Sequence, residues 1–272
     1  MGLSIERDCF FSDVSYSRIG WCLFLKFHKT KTGRKIAYVK AKGAAPGIVF
    51  LGGFLSDMSG TKALHLEAMC KEKGLSFLRF DYSGHGKSSG TFVDGCIGDW
   101  TNDAQDLLEN VTDGPQILVG SSMGGWIALL LAKRISERIA GMVTIAAAPD
   151  FTEDGYWAGF NKATRQHLLE EGVVNIPSAY GDPYPITKRL IDDGRAHLVL
   201  RQPLDLPFPV RLLQGDLDED VSVELANKLF AHIQCPDLQL TLLKGADHSF
   251  SAPNALLLIE AAITNVLGAV PE

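Results

Sequence analysis

Cysteine is scarce and unpatterned in this 272-residue chain. The five present (Cys9, Cys22, Cys70, Cys96 and Cys235) are odd in number and form no C-x-x-C pair. That spacing argues against a disulfide framework and a zinc site, and fits reduced thiols in a cytoplasm-like compartment. A basic block is also missing. Lys and Arg number 26 against 32 Asp and Glu, for a net charge of −6, so nothing would follow a phosphate backbone and nucleic acid is not an expected partner. Long apolar runs are absent too. The longest early one, residues 19–25, is too short to cross a bilayer, which sets aside stable membrane insertion. No small-x-small cleavage site follows it, and Lys26 and His28 interrupt it, so it reads as a first strand rather than a signal peptide. Glu6 stands where a myristoylation signal needs Ser or Thr. The expected address is cytoplasmic; oligomeric state is left open. Internal repeats and low-complexity segments are missing as well.

What is present is an alternation of short apolar runs with amphipathic stretches. Runs rich in β-branched and aromatic residues at 21–27, 35–39, 48–51, 76–80, 116–119, 140–146, 209–214 and 238–243 give eight expected strands. From the third onward, helical patterns separate them, at 61–73, 99–109, 126–134, 223–230 and 254–267. Such alternation implies right-handed crossovers and a mostly parallel sheet covered on both faces. The first two strands, joined by a short Thr-Gly turn, read as an antiparallel hairpin at one edge. Residues 151–205 break the rhythm. They carry Phe151, Tyr156, Trp157, Phe160, Tyr180 and Tyr184, with Pro177, Pro183 and Pro185 as breakers. A structureless loop of that length is improbable in a compact domain, so the segment reads as a small helical lid inserted into a core formed by 1–150 and 206–272.

Two adjacent serines follow the fifth strand, in Val119-Gly120-Ser121-Ser122-Met123-Gly124-Gly125-Trp126. A nucleophile between a strand and the next helix stands on a strained turn whose residues two before and two after must be small. For Ser121 these would be Val119 and Met123; for Ser122 they are Gly120 and Gly124. Only the second frame works, and it gives G-x-S-x-G. A serine hydroxyl needs a base within hydrogen-bonding reach. His28, His65, His167, His197 and His232 fall on an early strand, helix faces or the insertion. His85, in a glycine-punctuated turn after the fourth strand, is a rival. His248 follows the last strand directly and gives the order Ser, Asp, His. An acid must orient the imidazole. The loop 214–221 offers Asp216, Asp218 and Asp220. An EF-hand starting at Asp216 would need Gly and Glu where Val221 and Asn227 stand, so that metal reading fails. Asp216 reads as a turn cap, Asp220 as the cap of the helix that follows, and Asp218 as the acid, with Asp150 as runner-up. Oxyanion donors are expected from the backbone N–H groups of Met123, at a helix N-terminus, and Phe54, in Leu51-Gly52-Gly53-Phe54-Leu55-Ser56-Asp57.

The elbow, the turn Asp81-Tyr82-Ser83-Gly84-His85-Gly86, the acid loop with Gly215, Asp218 and Val221, and His248 resemble the α/β-hydrolase superfamily. The stretches 51–58, 79–84 and 114–126 are similar to its abhydrolase-domain depalmitoylase branch, and the resemblance runs from about residue 34 to 267. It implies an α/β-hydrolase fold and a serine esterase or thioesterase acting on acyl thioesters and acyl glucuronides. It puts Ser122, Asp218 and His248 in the triad positions, with no cofactor and no metal. The partner it implies is a small-molecule or acylated-protein substrate. Two positions depart: Gly52-Gly53 stand where many superfamily members have His-Gly, and Ser249 stands where the branch has Arg after the histidine. A dehalogenase or epoxide hydrolase would need Asp at the elbow. A carbon–carbon bond hydrolase could use the same three residues, and a non-catalytic ligand-binding protein could keep the fold alone.

Overall fold

In a computed structural model, residues 24–178 and 181–270 are described. Eight strands form one sheet: β1 (Lys26–Lys29), β2 (Lys35–Ala41), β3 (Ala44–Leu51), β4 (Leu75–Phe80), β5 (Gln116–Ser121), β6 (Ile139–Ile145), β10 (Val210–Gly215) and β12 (Leu238–Leu243). Their spatial order is β1-β2-β4-β3-β5-β6-β10-β12. β1 pairs antiparallel with β2, and β2 antiparallel with β4; every other pairing is parallel. All eight expected strands are in place. The first begins later than its apolar run, part of which, with Cys9 and Cys22, lies outside the described residues. This is the α/β-hydrolase fold.

Period-two alternation in the strands divides the core. Val49, Leu51, Leu118 and Leu212 face α2 (Ile97–Asn110) and α3 (Met123–Arg134), whereas Ile48, Phe50, Ile117, Val119 and Leu213 face α1 (Thr61–Lys73) and α7 (Pro253–Ala269). β5 is buried at every position, as expected for a central strand covered on both faces. α6 (Val223–His232) is capped by the Ser222 hydroxyl, which accepts the Leu225 N–H, and not by Asp220. Cys70, Cys96 and Cys235 are free thiols.

The segment after β6, read as a small helical lid, holds helices and also a hairpin that the sequence did not announce. A π-helical turn (Phe151–Trp157) leads into α4 (Lys162–Glu171). Next come an antiparallel hairpin of β7 (Val173–Ser178) and β8 (Gly181–Thr187), α5 (Lys188–Ala196) and the two-residue β9 (Leu204–Asp205), which pairs with β11 (Ile233–Gln234). Pro177, Pro183 and Pro185 suggested breakage. In a two-stranded ribbon both strands are edges, where a missing N–H costs no ladder bond on the open side. Tyr180 lies outside the described residues. The segment is tied down by buried Asp150, whose carboxylate accepts the N–H groups of Val199 (2.8 Å) and Leu200 (3.0 Å) and approaches Arg201 at 3.4 Å. Asp193 Oδ2 accepts the Gly98 N–H (2.7 Å), joining α5 to α2.

Candidate active site

Ser122 sits between β5 and α3 with φ 54° and ψ −118°, a strained conformation for a side-chain-bearing residue. The chain holds it there with backbone bonds on both sides: its N–H donates to Ile145 O (2.9 Å), and its carbonyl accepts the N–H groups of Gly125 (2.9 Å) and Ala148 (3.1 Å). The flanking glycines answer to space. A Cβ on Gly120 would stand 2.4 Å from Gly124 O, and one on Gly124 would stand 2.0 Å from Leu51 O. The turn can be this tight only because α3 and β3 come together backbone to backbone.

His248, on the loop after β12, places Nε2 3.1 Å from Ser122 Oγ and Nδ1 2.9 Å from Asp218 Oδ2. An ionised carboxylate only accepts, so the neutral ring carries its proton on Nδ1 and presents Nε2 as acceptor to the hydroxyl. Asp218, its side chain fully buried, also accepts from Gln214 Nε2 (3.0 Å) and from the N–H groups of Asp220 (3.0 Å) and Val221 (2.8 Å). Burial pushes its carboxyl up, but the bonds from His248, Val221 and Gln214 outweigh that and hold it below its ordinary value. Asp218, Asp220 and His248 could each offer a cation one atom, all within 4.8 Å of one another. The Asp218 oxygens are already committed to these four donors, an arrangement that suits an imidazole-orienting acid.

Both serine and histidine open onto a cavity of about 740 Å³, within the roughly 300–1,000 Å³ usual for small-molecule sites. One wall is aromatic: Phe54 from the loop after β3, with Phe151, Tyr156 and Tyr184 from the segment after β6. The Phe54 ring meets those of Phe92, Phe151, Tyr184 and Trp100 edge-on, at centroid distances of 4.9, 5.6, 5.8 and 6.0 Å. Its loop comes close to the serine: a Cβ on Gly53 would stand 3.4 Å from Ser122 Cβ. Met123, buried, is the first residue of α3.

With this geometry, similarity to known proteins becomes informative. A profile of the family described as serine aminopeptidase, S33, matches residues 47–176. The mouse mitochondrial palmitoyl-protein thioesterase ABHD10 is 36% identical over 234 residues, 85% of this chain and 78% of its own. The solved mouse α/β-hydrolase domain-containing protein 10 superposes with a TM-score of 0.84 at 33% identity, covering 90% of this chain and 98% of that one. The chain belongs to the ABHD10 family of α/β-hydrolases. Est1E from Butyrivibrio proteoclasticus, solved with ferulic acid, shares the fold at 19% identity (TM-score 0.75, 90% and 98% covered).

The rivals read from the sequence are engaged elsewhere. His85 is buried against Tyr82, Phe92 and Trp100, with Nδ1 3.2 Å from Ser83 O. Burial drags its pKa down to about 4. Asp150 spends its carboxylate on Val199 and Leu200. Asp216 pairs with Lys244. His28, His65 and His197 pair with Asp106, Glu260 and Asp193. Two site residues carry no sequence signal: Gln214, within an ordinary strand pattern, and Lys62, within an ordinary helix pattern.

Proposed function

We propose that this hydrolase cleaves ester and thioester bonds of acylated substrates, small molecules or acylated proteins, through an acyl-enzyme on Ser122. The observation that carries the reading is the continuous relay Asp218–His248–Ser122, at 2.9 and 3.1 Å, opening onto a cavity with an aromatic wall. His248 Nε2 takes the hydroxyl proton as Ser122 Oγ attacks the acyl carbonyl. Asp218 stabilises the resulting imidazolium without taking its proton. The N–H groups of Met123 and Phe54 hold the tetrahedral oxyanion. The imidazolium then protonates the departing sulfur or oxygen, and a water activated by His248 releases the acid. Phe54, Phe151, Tyr156 and Tyr184 offer an acyl chain apolar surface, and the palmitoyl-protein thioesterase name of the relatives supports long thioesters as the preferred class.

The test is a series of acyl esters and matched thioesters from acetyl to palmitoyl. Rates peaking on long thioesters, and falling by about a thousandfold or more in a folded Ser122→Ala, are expected. A short-chain ester optimum would make the protein a small-molecule carboxylesterase. Near-full turnover in Ser122→Ala would sink the mechanism. Silence on every ester with turnover of a diketone would move it to carbon–carbon hydrolysis.

A further inference from the structure

The start of α1 forms part of the cavity wall: Gly60, Thr61, Lys62 and Ala63 line the same space as Ser122 and His248. A basic residue in the first helical turn runs against the helix dipole, which favours acids there. α1 has no acid in that turn, and its N-cap, Gly60, supplies no side-chain acceptor. Among the described residues, Lys62 is the one lysine or arginine in the lining. Its ammonium donates to the carbonyl of Ser249, the residue after His248, which leaves two of its three N–H groups to be satisfied.

No carboxylate among the described residues forms an ion pair with Lys62, and the nearby acids have other donors. Asp247 Oδ1 accepts Ser249 Oγ (2.7 Å) and the Phe250 N–H (3.1 Å). Asp218 holds His248, and Asp57, also in the lining, accepts the Ser59 N–H (2.7 Å). Burial lowers the Lys62 pKa to about 8, with Asp247 and Asp218 pulling the other way. A partly buried cation with no carboxylate in direct contact among the described residues, offset only through space by Asp247 and Asp218, still bears a desolvation cost. An incoming anion would offset that cost.

We infer that Lys62 is a specificity-determining residue that binds an anionic group, a carboxylate or a phosphate, on the leaving-group side of the substrate. The side follows from the histidine. His248 must hand its proton to the departing sulfur or oxygen, and Lys62 is tied to the residue next to it, whereas the acyl chain has the aromatic wall. The thiol or alcohol released therefore carries negative charge. This inference rests on the hydrolase reading of the same cavity.

The experiment measures kcat/KM for octanoyl thioesters of 3-mercaptopropionate, of 2-mercaptoethyl phosphate and of uncharged 3-mercaptopropanol. The full chain is compared with Lys62→Met and Lys62→Arg. Expected is a preference of about tenfold or more for an anionic thioester, expressed in KM, collapsing towards one in Lys62→Met and partly kept in Lys62→Arg. Whichever anion is preferred identifies carboxylate or phosphate as the natural group. A ratio of one in the wild type, or a preference that survives Lys62→Met, overturns the inference. Should Lys62→Met fail to fold, calorimetry on Ser122→Ala decides. The S-octyl thioether of 3-mercaptopropionate should bind more tightly than its methyl ester, and equal binding overturns the assignment. The binding readout needs no turnover. Persistent hydrolysis by Ser122→Ala would remove the acyl-enzyme mechanism without touching the anion site, and equal binding would remove the anion site without touching hydrolysis.

Discussion

Ser122, Asp218 and His248, which the fold brings together, each carry a local mark in the sequence. Ser122 must have small neighbours two residues away on either side, and a φ of 54° with Gly124 against Leu51 O shows why. His248 and Asp218 stand on loops directly after strands, in an order that one direction of winding imposes. Lys62 and Gln214 had no such marker. What distinguishes them is a partner that strand or helix periodicity does not mark: Ser249, distant in the chain, for Lys62, and Asp218, four residues on across a turn, for Gln214. His85 shows the converse, a chemically capable residue in an inert place. With its Nδ1 proton directed at Ser83 O, its Nε2 is buried without a partner and protonation is disfavoured. The folded-state value of about 4 lies below the ordinary 6.5, so between those limits the unfolded chain binds more protons. Stability is therefore present above about pH 6.5 and lost as pH falls towards 4, by on the order of 3 kcal/mol from this residue alone. His85→Phe keeps the aromatic packing, and Ser83 O keeps the Trp100 N–H at 3.0 Å. Urea unfolding at pH 7 and pH 4.5 should show a smaller acid loss in the variant.

Among elements, the contact that matters most for the site is α3 against β3. The helix N-terminus lies against the end of β3 and the loop that follows it, and at Gly124 only a residue without a Cβ permits that approach. In Gly124→Ala the new methyl would meet the Leu51 and Gly52 carbonyl oxygens, 2.0 and 2.6 Å away. Backbone cannot swing aside as a side chain does, so a loss of roughly 1–3 kcal/mol is expected, with turnover falling further than stability. Thermal unfolding and ester hydrolysis on the same preparation check both. The hairpin β7–β8 is the element that the sequence hid. Its prolines, tolerable only because both strands are edges, outweighed the alternation of Val174, Ile176 and Ile186 in any local reading.

For the whole molecule, the relation between the sheet and the segment 151–205 is governed by a few polar ties. Asp150 is the most buried of them, and an acid first weighed for catalysis turns out to close the segment on itself. Asp150→Ala leaves two buried N–H groups without their acceptor, at about 1–3 kcal/mol each. Hydrogen exchange and limited proteolysis should accelerate within 151–205 first, while the central strands stay protected; uniform acceleration over the sheet would refute this division of labour.

The ring of Phe54 belongs to both parts. Its backbone is the proposed oxyanion donor, and its side chain is gripped by Phe151 and Tyr184 from the segment after β6. A bulky ligand that enters by parting those rings also unsettles the loop that carries the donor. The wall that meets the guest and the donor that would meet its carbonyl thus share a single residue, so a change of either neighbouring ring is felt at both.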